Sequence, residues 1–121
     1  YCDWYHDDQP TWMNTRSGKL LTIPYQMDIN DAMVLRHALE AEDFARMIVD
    51  HFDTLWEEGA EHGRVVCIAL HPYIMGHPHR IRHLERALRH IVEHEGVWLA
   101  TGREIAEWYR GQHPAPVGDA L

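Results

Sequence analysis

The longest uninterrupted apolar stretch of the chain covers residues 65–70 (VVCIAL), with Gly63 before it and Pro72 after it. A short apolar run with such boundaries is typical of a strand buried on both faces, as in a parallel sheet. His71 directly follows this predicted strand. In α/β folds, ligands and catalytic groups collect at the carboxyl ends of strands. His71 is therefore a candidate site residue, although a structural, hydrogen-bonded histidine would suit the same position.

Apolar residues at helical spacing predict two longer helices, one over residues 41–58 and one over residues 79–94. Each helix would bury one apolar face and expose a charged face. The apolar faces consist of Phe44, Met47, Ile48, His51, Phe52, Leu55 and Trp56 in the first helix, and of Ile81, Leu84, Leu88, Ile91 and Val92 in the second.

Shorter patterns predict strands over residues 20–25 and 97–101, a helix that begins at Asn30 or Asp31, and a last helix over residues 102–110. Strands that alternate with helices indicate an α/β fold in which parallel strands pack against helices. Three strands make a thin sheet, however. We therefore expect part of a larger α/β unit, with its first half absent or supplied by another chain.

Composition narrows the classes of function. The 121 residues carry a formal net charge of −8 and show no basic patch, which argues against nucleic acid as a partner. No apolar run approaches the roughly 18 residues of a membrane span. The chain opens at Tyr1 without a visible signal peptide, and Cys2 and Cys67 resemble reduced thiols rather than a disulfide framework. We expect a cytoplasmic protein.

An acidic and aromatic segment lies near the start of the chain. Asp3, Asp7 and Asp8 fall within six residues of one another, and Trp4 and Trp12 flank them. Asp-Asp-Gln-Pro is good turn chemistry, so a solvated acidic turn is one interpretation. A polar site between aromatic walls is the other, and the tryptophans favour it because large exposed apolar surfaces often mark binding sites.

Histidine spacing suggests a metal site on the second long helix. His79 and His83 are four residues apart, and His77 precedes them by two. Arg80 and Arg82 oppose a cation there, and no acidic residue completes an H-E-x-x-H pattern. His90 and His94 repeat the spacing without further support from the sequence. A solvated helix face is the favoured interpretation, and we assign no metal ligand.

Three blocks carry a resemblance to a known family: residues 2–12 (CDWYHDDQPTW), 21–25 (LTIPY) and 68–73 (IALHPY). Together they resemble the C-terminal half of a polysaccharide deacetylase-like domain, the superfamily of carbohydrate esterase family four. The branch that includes metal-independent allantoinase is the most similar. This resemblance implies an incomplete (β/α) barrel over residues 1–111, with the site at the carboxyl ends of the strands and a flexible tail over residues 112–121.

The resemblance also implies roles for individual residues. His71 matches the histidine that protonates the leaving nitrogen in the deacetylases, and Asp3 matches an aspartate that orients site groups. Asp7, Asp8 and Trp12 match a loop that shapes the pocket in the allantoinase-like branch. At the ends of their segments, Tyr25 and Tyr73 would join the tryptophans as walls for a flat, polar substrate.

One departure from the family limits what this segment can do. The family's catalytic base and its metal-binding Asp and His-x-x-x-His lie in the first half of the domain, and no counterpart precedes Tyr1. A divalent metal could enter only through that half, and we expect the isolated chain to be inactive.

Two classes of function therefore stay open. The first is hydrolysis of a non-peptide C–N bond in a small-molecule or sugar substrate, either a cyclic ureide such as allantoin or an N-acetyl group. The second is a non-catalytic α/β module that self-associates or pairs with the N-terminal half.

Overall fold

The computed structural model describes residues 7–117. It is a mixed α/β structure in which a hairpin is followed by helices. The elements, in chain order, are β1 (Thr11–Thr15), β2 (Gly18–Thr22), α1 (Ala32–Arg36), α2 (Ala41–Glu58), α3 (Pro72–Met75), α4 (Ile81–Val92) and α5 (Gly102–Gln112). Within the described part, no helix combines the length and the apolar character that crossing a membrane requires.

The hairpin pairs β1 with β2 in antiparallel register, from Thr11 opposite Thr22 to Thr15 opposite Gly18. Gly18 has a φ of +115°, a backbone conformation that glycine adopts without steric cost. The sequence analysis predicted no strand over residues 11–15, where β1 lies. The predicted strand over residues 20–25 is shifted as well, since β2 ends at Thr22, two residues before Pro24.

The helical predictions are confirmed. α2 has the predicted bounds, and α4 lies inside the predicted range. These two helices pack against each other and hold most of the core. Phe44, Ile48, Ile74 and Met75 are its largest fully buried apolar side chains. The short α3 contributes the last two, so the core fixes the position of the turn that follows His71.

The prediction of a three-stranded parallel sheet is wrong for the described residues. Residues 65–70 run beside residue 30 with a single parallel bridge, between Ala69 and Asn30, and residues 97–101 form no strand. The segment 65–70 is half-buried up to Ala69, and Leu70 is exposed. Val66 and Ile68 pack on the core from one side. The apolar run therefore has one covered face, where the sequence predicted two.

A capping box starts α5. The Thr101 hydroxyl accepts from the Glu104 N–H at 3.3 Å, and the Glu104 carboxylate accepts from the Thr101 N–H and hydroxyl, both at 2.7 Å. These hydrogen bonds from Thr101 lower the pKa of the Glu104 carboxyl. The box satisfies two donors that a helix start leaves open, which explains why α5 forms although none of its residues is buried.

We predict that Phe44→Ala lowers the free energy of unfolding of the natural protein by about 3–5 kcal/mol, because the removed ring leaves a cavity in the α2–α4 core. Urea unfolding followed by circular dichroism measures the change. The control is Leu35→Ala on the exposed side of α1, which should stay within about 0.5 kcal/mol. Equal losses in the two variants would contradict the assigned core.

Candidate functional site

The turn before α1 brings a carboxylate next to the segment that ends at His71. The Ala69 N–H donates to the Ile29 carbonyl at 2.9 Å, and the Asp31 N–H donates to the Ala69 carbonyl at 3.0 Å. The Asn30 side chain accepts from the Ala32 N–H at 2.9 Å. Because Asn30 supplies the side-chain oxygen at this helix start, the carboxylate of Asp31 is left for another partner.

That partner is His71, which Asp31 holds at two points. Asp31 Oδ2 accepts from the His71 main-chain N–H at 2.8 Å, and Asp31 Oδ1 lies 2.6 Å from His71 Nδ1. The Asp31 side chain is fully buried, whereas the imidazole is 37% exposed. Two contacts to one residue fix the imidazole's position and its rotation. Because a carboxylate can only accept, Nδ1 carries the proton of this hydrogen bond, and Nε2 is the ring nitrogen left for another partner.

At His71 the chain changes from an extended segment to a short helix, α3. His71 has extended backbone angles and is the N-cap of α3, with Pro72 as the first helical residue. The Tyr73 ring lies 5.3 Å from the imidazole at an interplanar angle of 61° and is exposed. The site thus combines a buried carboxylate, a partly exposed imidazole and one exposed aromatic wall.

Gln26 anchors the beginning of the segment that leads to His71. Its buried side chain donates from Nε2 to the Val65 carbonyl at 2.9 Å and accepts at Oε1 from the Cys67 N–H at 2.8 Å. One amide thus makes the two hydrogen bonds that a neighbouring strand would make there. Cys67 is a free thiol, and burial raises its pKa.

The structure places the acidic loop at the opposite end of this segment. The Val65 N–H donates to the Asp8 carbonyl at 2.8 Å, and Gln26 Nε2 lies 3.5 Å from Asp8 Oδ1. Asp7 is exposed and accepts from the Gln9 N–H at 3.0 Å, as in an Asx turn. Both carboxylates lie near where residues 65–70 begin, and His71 lies where they end.

The other predicted site residues that the structure describes, Trp12 and Tyr25, also make no described contact with the His71 side chain. Trp12 donates from Nε1 to the His113 carbonyl at 2.8 Å, so its ring lies against the end of α5. Tyr25 is half-buried beside Gln26 in the chain. Asp3 lies outside the described residues. Within residues 7–117, the hydrogen bonds and ring contacts of the His71 side chain involve only Asp31 and Tyr73.

Asp31 is the member of this candidate site that the sequence analysis did not assign to it. It was interpreted only as a possible helix cap, with Asn30 as the equivalent choice. The signal was the pair itself: one cap needs one side chain, so an adjacent Asn and Asp leave one polar group without a local role. The sequence does not show that this group meets His71 forty residues later.

His77 and His79 lie just before α4, and His83 lies in its first turn. The rings of His77 and His79 lie 5.6 Å apart, and Arg86 Nη2 donates to His83 Nδ1 at 2.8 Å. A guanidinium that donates to a ring nitrogen of His83 opposes the binding of a cation there.

Comparisons with known proteins relate this architecture to enzymes. No protein-family model matches the chain. A Schizosaccharomyces pombe protein described as "Putative polysaccharide deacetylase" is 35% identical over 127 residues, which cover 93% of this chain and 39% of that protein. The crystal structure of a "probable Polysaccharide deacetylase" from Pseudomonas aeruginosa PAO1 matches with a TM-score of 0.84 at 34% identity, over 93% of this chain and 39% of that one.

These matches confirm the relation to the polysaccharide deacetylase-like superfamily in both sequence and fold. The allantoinase-like branch is represented as well: the crystal structure of Puue Allantoinase matches with a TM-score of 0.88 at 35% identity, over 95% of this chain and 39% of that chain. The chain spans about two fifths of the length of each of these relatives.

We predict that Gln26→Glu lowers the free energy of unfolding of the natural protein by about 1–3 kcal/mol, because an oxygen would replace the donor that faces the Val65 carbonyl. Chemical denaturation measures this effect. Gln112→Glu, at the exposed end of α5, is the matched control and should be nearly neutral. A neutral Gln26→Glu would show that the amide bridge does not hold the segment.

Proposed function

We propose that the protein that carries this chain hydrolyses a non-peptide C–N bond, in a cyclic ureide such as allantoin or in an N-acetyl group on a sugar. The chain would supply the acid histidine of the site. The observation that carries this proposal is the pair of hydrogen bonds from His71 to the buried carboxylate of Asp31. They engage the main-chain N–H and Nδ1, and they leave Nε2 of the partly exposed ring for a substrate. The printed descriptions of the matched relatives, deacetylase and allantoinase, support the choice of bond.

The proposed chemistry needs a base for the attacking water and an acid for the departing nitrogen. His71 takes the second role. A proton passes from Nε2 to the leaving nitrogen as the C–N bond breaks. The carboxylate of Asp31 keeps the other proton at Nδ1 and stabilises the positive charge of the ring before the transfer.

The substrate would lie over the exposed side of the imidazole, with Tyr73 as the nearest wall. We propose Asp3, Asp7, Asp8, Trp12 and Tyr25 as further substrate-binding residues, on the basis of their match to the family's loops. The contacts of Asp8 and Trp12 put them away from His71 in the described chain, so these two would bind parts of the substrate remote from the reacting bond.

We further propose that the fold is the C-terminal part of an incomplete (β/α) barrel, and that the base and any divalent metal come from the other part. Exposed apolar residues support a covering partner, either the N-terminal half or a second copy. They include Leu70, Trp98, Leu99 and Trp108. The free thiol of Cys67 supports a cytoplasmic location.

We expect His71→Ala to lower kcat of the natural protein by about 10²-fold or more, since it removes one acid–base group. Turnover of allantoin and of an N-acetylated sugar oligomer, each with and without a chelator, measures the loss and separates the two chemistries. His79→Ala, an exposed histidine on the same stretch, is the control and should keep full activity. Added imidazole should restore part of the lost rate. A folded His71→Ala protein with unchanged kcat would overturn the proposed role.

Asp31→Asn should lower kcat by about 10²-fold or more while it leaves KM within a factor of a few, because the amide keeps the shape but reverses the hydrogen bond to Nδ1. Asp43→Asn, which removes a surface carboxylate from its pair with Arg46, controls for the loss of charge. The 15N chemical shifts of the His71 ring report its tautomer independently of turnover. If neither kcat nor these shifts change, Asp31 does not position His71.

A further inference from the structure

A second cluster of ligand-type side chains lies at the seam between α2 and α4. Asp53 comes from α2, His90 comes from α4, and His94 lies two residues after the end of α4. One ligand atom of each residue lies within 4.8 Å of those of the other two. His90 Nε2 donates to Asp53 Oδ1 at 2.6 Å, and the two imidazole rings are 4.6 Å apart. The side chains of His90 and Asp53 are 36% and 45% exposed, so an ion can reach them from solvent.

His94 is held in an orientation that suits a ligand. Its Nδ1 donates to the His90 carbonyl at 2.7 Å, which leaves Nε2 with a free lone pair. A histidine that binds a metal through one ring nitrogen usually donates its other ring N–H to a carboxylate, a backbone carbonyl or water, and this hydrogen bond orients the ring. The His94 ring also lies 5.0 Å from the rings of both Phe52 and Trp56, and Trp56 Nε1 donates to the Glu95 carbonyl at 3.0 Å.

The donor set identifies the class of ion. Two imidazoles and one carboxylate bind Zn²⁺ and similar transition ions, with a fourth position left for water. His90 lies in the last turn of α4 and His94 lies just after it, where the hydrogen bond to the His90 carbonyl brings the two rings together. The carboxylate comes from the facing helix, α2. His79 and His83 have the same spacing, but Arg86 occupies a ring nitrogen of His83. A cation, Arg86, therefore contacts the His79/His83 pair, whereas a carboxylate, Asp53, contacts the His90/His94 pair.

We propose that a divalent transition ion such as Zn²⁺ binds between α2 and α4, with Asp53, His90 and His94 as its three protein ligands. The ion takes the place of the proton between His90 Nε2 and Asp53 Oδ1, so one proton leaves for each ion bound. In a tetrahedral site with bonds of about 2.1 Å, the ligand atoms lie about 3.4 Å from one another. Small rotations of the three side chains would bring their ligand atoms from the observed separations to this distance. The ion would join the two helices that hold the core.

The test compares metal binding by the natural protein with that by two double variants, all stripped of metal with a chelator. Asp53→Asn with His94→Gln removes two ligands, and His79→Gln with His83→Gln is the matched control. Co²⁺ titration followed by visible absorption, and thermal unfolding with Zn²⁺, are the readouts. At 100 times its Kd, Zn²⁺ should raise Tm of the wild type by about 5–10 °C.

We expect the His79/His83 variant to keep this increase and the full Co²⁺ stoichiometry. The Asp53/His94 variant should lose one equivalent of Co²⁺ and most of the increase in Tm. The same stoichiometry and the same increase in Tm in both variants would overturn the proposal.

A measurement on the wild-type protein covers the case in which the Asp53/His94 variant does not fold. In 15N spectra of the imidazoles, one equivalent of Zn²⁺ should shift the ring nitrogens of His90 and His94. Shifts confined to His77, His79 and His83 would overturn the proposal. None of these readouts depends on turnover or on the proposed hydrolysis.

Discussion

The contact between Asp31 and His71 joins the two parts of the chain that build the candidate site. Both carboxylate oxygens engage residue 71, and the Asp31 N–H donates to the carbonyl of Ala69. With the bond from the Ala69 N–H to the Ile29 carbonyl, four hydrogen bonds connect the turn before α1 with the segment before α3. A fully buried carboxylate needs such partners, since an unpaired one would be too costly to bury. The start of both helices and the direction of the imidazole depend on this one arrangement.

The sequence was informative where an element makes its own hydrogen bonds and misleading where it needs a neighbour. An α-helix closes its hydrogen bonds internally, so apolar spacing alone was enough to predict α2 with its observed bounds. A strand depends on the main chain beside it. Residues 65–70 have the composition of a central strand. In the described residues, however, their hydrogen-bonding neighbours are the Asp8 carbonyl, the side-chain amide of Gln26 and a single bridge at Asn30. An apolar run therefore predicts an extended segment better than it predicts a sheet.

The residues of the candidate site also differ in whether a local sequence pattern or a distant neighbour reveals them. His71 could be found because a histidine between an apolar run and a proline is a local pattern. Tyr73 follows it closely and was found with it. Asp31 could not be found, because its role exists only after residues 31 and 71 come together. The Asp53–His90–His94 cluster was hidden for the same reason: the sequence showed the two histidines, but the third member lies on another helix. Local patterns thus revealed single residues, and the fold assembled them into sites.

The identity of the residue at position 31 is itself an argument for function. Holding the corner at residue 71 needs only an acceptor for one main-chain N–H, and a neutral side chain could provide it. A carboxylate in a fully buried position carries a desolvation penalty of several kcal/mol that such a neutral group would avoid. In the proposed hydrolysis, the charge on Asp31 stabilises the protonated imidazole of His71 before its proton passes to the leaving nitrogen. The proposed reaction therefore accounts for a buried carboxylate at this position, which support of the main chain alone does not require.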